Sequence, residues 1–143
     1  MTVSSDVEAL RAANDAFYAG VEALDLDAVA AVWCHGDHVA CVHPGAELIL
    51  GWSKVRRSWA AIFAAISYLQ FIVTDVRVVI EGRSGIVTCT ENILSDAGHD
   101  NHLGTAKAVA TNVFTRDEVG QWLMVLHHAS PVLRDDVPPV HKP

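Results

Sequence analysis

A chain of 143 residues, 51% hydrophobic and 19% charged, is the size of one domain and too apolar to be disordered. Its formal charge of −7 excludes the basic face that nucleic-acid binding demands, and no apolar run approaches the ~20 residues of a membrane span. Three cysteines, Cys34, Cys41 and Cys89, show no CxxC spacing, and the first residues form neither a basic nor an apolar leader, so reduced thiols in a cytoplasmic protein are expected.

Ser5 and Glu8 read as a capping box opening a first helix. Behind them Val7, Leu10, Asn14, Phe17, Val21 and Leu24 recur every three or four residues, marking one face on which Asn14 is the polar member. Asp25 offers an N-cap for a second, shorter helix whose inner side carries Leu26, Val29, Ala30 and Trp33. Turn residues from Cys34 to Asp37 break it. Residues 38–43 alternate as a short strand, with Val39, Cys41 and His43 on one side, and Pro44-Gly45 ends it. A hydrophobic segment, Leu48 to Leu50, and Gly51 lead into a third helix with the stripe Trp52, Val55, Trp59, Ile62, Phe63 and Ile66.

After Ser67 the period changes. Residues 70–81, 85–94, 105–116 and 120–129 are four β-rich stretches, and the turns between them, short and built from Gly, Asp and Ser, predict antiparallel hairpins. Helices gathered on one face of an antiparallel sheet make an α+β domain, predicted over 1–133, with 134–143 as a flexible tail.

The element order, together with Leu26-Asp27, Val42-His43-Pro44-Gly45, Gly51-Trp52 and the stretch from Trp122 to Pro131, resembles the nuclear transport factor 2-like superfamily, which includes ketosteroid isomerases and SnoaL-type polyketide cyclases. The look is closest to SnoaL-like proteins with a His-Pro-Gly turn and a final Trp…His-His-x-Ser-Pro strand. The resemblance implies a cone: a curved sheet around an apolar pocket, closed by about three helices, with the outer sheet face pairing two subunits into a homodimer. It places His43 where ketosteroid isomerases carry an aspartate base, Phe17 on their tyrosine and Asn112 near their protonated aspartate. Tyr18, adjacent to Phe17, would point about 100° away on a helix. Two of these three positions differ from the family and the third has changed type, which speaks against steroid isomerisation by that route.

Several polar residues compete for a role. His43 could take or deliver a proton, or it could bond a carbonyl and fix the turn. Glu91 shares a strand face with Val87, Cys89 and Ile93; facing inward, it would need His43, an arginine or a ligand, whereas an outward Glu91 leaves Thr88, Thr90 and Asn92 inside. Asn112, among Ala108, Ala110 and Phe114, could donate to a carbonyl, as could Asn14. His127 and His128 must face opposite ways, one into the cavity and one toward a dimer interface, and strand reading does not say which; alternation groups His128 with Trp122, Met124 and Leu126, and His127 with Leu123 and Val125. Phe17, Tyr18, Trp33, Trp52, Trp59, Phe63 and His128 are the expected pocket wall, with core packing as the rival explanation for the tryptophans and Phe63. His35-x-x-His38 near Cys34 lacks a zinc spacing, and no nucleotide motif occurs, so neither metal nor cofactor is expected. The leading expectation is cofactor-independent acid–base chemistry on a small hydrophobic carbonyl compound, with His43 as base or acid and Glu91 and Asn112 in support. The rival is a module of the same fold that binds a ligand or dimerises without catalysis.

Overall fold

The computed structural model describes residues 3–97 and 102–133. The described residues form three helices, α1 (Val3–Glu22), α2 (Leu26–Val32) and, after two short strands, α3 (Trp52–Ala65). With neither Gly nor Pro ahead of Ser5 to stop it, α1 begins at Val3, so Ser5 lies inside its first turn instead of capping it. Asp25 does cap α2: its carboxylate accepts from the Ala28 N–H at 3.0 Å. Gly51, at φ +86°, caps α3 in a conformation that glycine adopts without strain. No helix among the described residues is long and apolar enough to cross a membrane.

Six strands form one sheet: β1 (Ala40–Val42), β2 (Ile49–Leu50), β3 (Leu69–Glu81), β4 (Ser84–Ser95), β5 (Gly104–Arg116) and β6 (Trp122–Pro131), in the order β2-β1-β6-β5-β4-β3. The four long strands are antiparallel neighbours, as the hairpin turns predict. The sheet is not wholly antiparallel, because β1 pairs parallel with β6, aligning Cys41 with His127. The long connection from β1 through β2, α3 and the three strands β3 to β5 supplies the crossover that such a pairing requires. The tail expected from residue 134 lies outside the described residues.

Two bulges bend the sheet. One lies between Thr74 and Arg77, where Asp75 sits at φ +56°. The other is in β6, where Val113 pairs with Leu126 and Phe114 with Met124, leaving Val125 as an extra residue. An extra residue shifts the two-residue alternation, so the side chains beyond it change face. Trp122 and Met124 are therefore followed on the inner face by His127 and Ala129, and His128 points out.

α1 lies across the concave face and buries Leu10, Phe17, Tyr18 and Val21 against it, each large apolar side chain contributing about 1.5–3 kcal/mol. Close approach is possible because Gly85 faces α1: a Cβ there would lie 2.4 Å from Leu10 Cδ2 and 3.2 Å from the Trp122 ring. Beneath α1, β5 presents Ala108 and Ala110, both buried. The same face of β5 continues to Ala106, which lines a cavity under α1.

Candidate functional site

A cavity of about 270 Å³ opens between α1, α3 and the inner sheet face. Phe17 and Tyr18 come from α1, Trp59 from α3, His43 from the end of β1, Glu91 from β4 and His127 from β6. A larger depression of about 530 Å³ lies at Ile72, Asn92 and Lys107, but among the described residues it is the cavity under α1 that collects buried titratable groups with displaced pKa values, the mark of a candidate site.

Each imidazole is fixed by a neighbour. Ser58 Oγ donates to the Val55 carbonyl at 2.6 Å, so its one proton is committed. The same oxygen lies 2.9 Å from His43 Nε2 and can only accept from it. His43 is thus the Nε2–H tautomer, with Nδ1 as its basic nitrogen. The ring stands edge-on to Trp59 at 4.6 Å, and Cys41 Sγ is no nearer than 3.7 Å. Burial disfavours the imidazolium and lowers the His43 pKa to about 4.

His127 is held the opposite way. Tyr18 donates its hydroxyl proton to Glu91 Oε2 at 2.5 Å, so the phenol oxygen can only accept from Asn112 Nδ2, 3.1 Å away. Asn112 Nδ2 also donates to Asn14 Oδ1 at 2.9 Å, which turns its carbonyl oxygen toward His127 Nδ1 at 2.6 Å. His127 is the Nδ1–H tautomer and Nε2 keeps the lone pair. Burial first, then the nearby His43 and His128, lower its pKa to about 3.

Glu91 has Tyr18 as its partner, and no ion pair joins it to His43. Burial raises the Glu91 pKa and the Tyr18 hydrogen bond only partly opposes this, so the carboxyl leans toward its protonated form. The Tyr18 hydroxyl is raised by burial and by Glu91 and stays a phenol. Cys41 is pushed up to about 12 by burial, then by Glu91, and is an inert thiol; Cys89, 3.4 Å from the Tyr18 oxygen, is also raised by burial.

The expected residues divide three ways. His43, Glu91, Phe17, Tyr18 and Trp59 meet at the cavity. Asn14 and Asn112 lie behind its wall, fully buried, and both amide hydrogens of Asn112 are used within the protein, so it positions His127 and is not a donor to a bound carbonyl. His128, Trp33 and Trp52 are elsewhere. His128 is exposed on the outer face because of the Val125 bulge, Trp33 packs in the core and bridges to Met124, and Trp52 stacks on His35 at 4.5 Å. Phe63 packs against Trp59, 5.8 Å between ring centres, and does not line the cavity. Sequence reasoning missed Ser58, and of His127 and His128, between which strand alternation does not decide, it named the one that faces out. Ser58 lies one residue before Trp59 on α3, so its nearness to His43 is a tertiary contact with no local signature. His127 was hidden by the bulge.

Residues 10–134 match the family described as SnoaL-like domain. The chain belongs to that family. Among solved structures, this SnoaL-like chain is similar to a candidate dehydratase of the NTF2-like family from Streptomyces avermitilis, with 43% identity, a TM-score of 0.84, and 93% of this chain and 100% of that one covered. It is also similar to a candidate calcium/calmodulin-dependent protein kinase type II association domain from Thiobacillus denitrificans, at 38% identity and a TM-score of 0.74, over 85% and 94% of the two chains. A ketosteroid isomerase-like protein from Erwinia carotovora shares the fold at 15% identity, with a TM-score of 0.77 over 90% and 98% of the chains. The F-box protein SKIP8 of Arabidopsis thaliana is 32% identical over 128 residues, 90% of this chain; the SnoaL-like chain spans about half the length of that relative, 52%.

Proposed function

We propose that this SnoaL-like protein is a cofactor-independent acid–base catalyst that removes a proton next to the carbonyl of a small apolar molecule, with dehydration as the leading reaction. The observation that carries the reading is the pairing, in one apolar cavity, of a neutral, orientationally fixed imidazole at His43 with a carboxyl at Glu91 that burial keeps inclined to hold its proton. Groups displaced in opposite directions are how one site supplies both a base and an acid. The candidate dehydratase from Streptomyces adds weight to dehydration over isomerisation or cyclisation.

In this reading His43 Nδ1 takes the α-proton while protonated Glu91, itself held by Tyr18, donates to the carbonyl oxygen. The carbon–hydrogen pair becomes the new double bond. The β-hydroxyl leaves as water with the proton that His43 took, and Glu91 recovers its own proton as the carbonyl re-forms. Burial makes His43 a weak base at rest, but the negative charge developing on the substrate stabilises the imidazolium as it forms.

The test is turnover of a panel of β-hydroxy ketones, followed by the absorbance of the conjugated product. His43→Gln is expected to lower kcat by about 10²–10⁴-fold, the usual worth of a general base, with its unfolding transition retained. Unchanged turnover in that variant overturns the assignment. A second reading, an assembly module without catalysis, draws on the Thiobacillus relative and on the exposed Ile72 and Val109 of the outer sheet face, where two copies would pair as a homodimer. It predicts a dimer in solution and no turnover with any member of the panel.

A further inference from the structure

The hydrogen-bonding state of the cavity restricts its ligand more tightly than its shape does. Ser58 fixes His43 with Nδ1 open, and Asn112, oriented by Asn14 and Tyr18, fixes His127 with Nε2 open. Cys41 Sγ, 4.0 Å from His43 Nδ1, is too distant and too weak a donor to occupy that nitrogen. Two lone pairs therefore belong to residues lining one cavity, and the pairing of Cys41 with His127 across β1 and β6 sets the two histidines on adjacent strands of the inner face. Glu91 is the third polar group. Tyr18 occupies one of its oxygens, leaving the other to donate when the acid is protonated.

Among the described residues no lysine or arginine lines the cavity, so an anionic ligand would enter without a counter-ion beside a carboxyl group. Apart from Ser95 the remaining wall is mostly apolar, with Phe17, Tyr18, Trp59 and Phe71 presenting rings. A dry cavity of about 150 Å³ suffices for benzene. The volume of about 270 Å³ then takes one ring with a short side chain and is too small for a fused four-ring skeleton.

Resting on the acid–base reading of the same cavity, we infer that its substrate is an uncharged hydroxy-carbonyl compound of about one ring, which donates its hydroxyl to His127 Nε2, leaves His43 Nδ1 for the α-proton and accepts at its carbonyl from Glu91. Carboxylates and phosphate esters fall outside this class, whatever their hydrocarbon part.

Three probes of similar size test the inference by calorimetric titration of the whole protein: 2-hydroxyacetophenone, acetophenone without the hydroxyl, and benzoylformate, which replaces the hydroxymethyl group by a carboxylate. The expected order is tightest binding for 2-hydroxyacetophenone, about tenfold weaker binding for acetophenone through the lost hydrogen bond, and weaker still or undetectable binding for benzoylformate. His127→Phe is expected to shrink the difference between the first two probes. Because the main comparison changes the ligand, it holds even where that variant does not fold. Benzoylformate binding as tightly as the hydroxy ketone overturns the inference, as does equal affinity for the two ketones. Failure of the acid–base reading looks different. The expected binding order with no turnover of any hydroxy ketone leaves the ligand class standing and removes the catalysis, whereas turnover of an anionic substrate that depends on His43 keeps the catalysis and removes the ligand class.

Discussion

Tyr18→Phe removes one oxygen that three side chains share. Its hydroxyl donates to Glu91 at 2.5 Å, accepts from Asn112 at 3.1 Å and touches Cys89 Sγ at 3.4 Å. The variant leaves Asn112 with an unmet N–H and Glu91 with an unmet oxygen, both on residues at most 2% exposed. An orphaned buried polar group costs about 1–3 kcal/mol, and Glu91 avoids the larger cost of a bare ion by holding its proton. The expected loss is about 2–4 kcal/mol. For 143 residues the unfolding entropy is about 0.3 kcal/mol/K, so the melting temperature should fall by roughly 7–13 °C.

Differential scanning calorimetry at pH 7 on wild type, Tyr18→Phe, Glu91→Leu and the double variant measures this directly. Leucine at 91 offers the phenol no acceptor, so the cycle isolates the interaction between the two side chains. A coupling near 1 kcal/mol identifies a neutral acid as the acceptor, and about 1.5–3 kcal/mol a carboxylate. A fall of less than ~2 °C for Tyr18→Phe, or a coupling near zero, would refute the network as drawn.

Acidification should destabilise the protein through its two buried histidines. Their folded pKa values, about 4 for His43 and about 3 for His127, lie below the ordinary 6.5, so the unfolded chain binds more protons and stability falls as pH drops below 6.5 toward those values. From pH 7 to 4.5 each contributes a loss on the order of 2 kcal/mol, and Glu91, whose pKa is raised, acts in the opposite sense; chemical denaturation across this range should show the net fall, with a smaller one in His127→Gln. Ser58→Ala should cost about 1 kcal/mol and release the His43 tautomer, visible as mixed protonation of Nδ1 and Nε2 in the imidazole ¹⁵N spectrum; a wild-type spectrum showing Nδ1 protonated would sink the tautomer argument. Gly85→Ala forces a methyl into the 2.4 Å contact with Leu10 and should destabilise by about 1–3 kcal/mol in urea unfolding, whereas Gly82→Ala meets no atom within 4 Å and is strained only by its positive φ.

The architecture was legible because it rests on local signals. The switch from a helical to a two-residue period after Ser67, the short turns at Gly82 and Gly120, and the Asp25 cap are all written in neighbouring residues, and the four long strands fall within two residues of the sequence reading. The site was legible only where it shared that locality. Phe17 and Tyr18 belong to a helical stripe, and His43 to an alternating strand ended by Pro44-Gly45. The choice for Glu91 between inner and outer face needed the sheet itself, since β4 alternates well in either sense until α1 covers one side. The bulge at Val125 carries the largest consequence. Val125 is an ordinary strand residue with no glycine beside it, and nothing in the sequence around it signals an insertion in the ladder. Yet one extra residue turns His127 inward, beside Asn112 and across from Cys41, and turns His128 out. Were Val125 paired in a regular ladder, alternation from Met124 would place Leu126 against Asn112 and His128 against Ala110, and leave His127 outside. The second imidazole of the cavity is therefore a product of sheet geometry acting on a pair of adjacent histidines. Deleting Val125 should close the ladder without moving either histidine: Leu126 stays opposite Val113 and His127 opposite Asn112, so His127 stays buried with its lowered pKa, as its imidazole titration in the NMR spectrum reports. A deletion that exposes His127 would show that Val125 is not the extra residue.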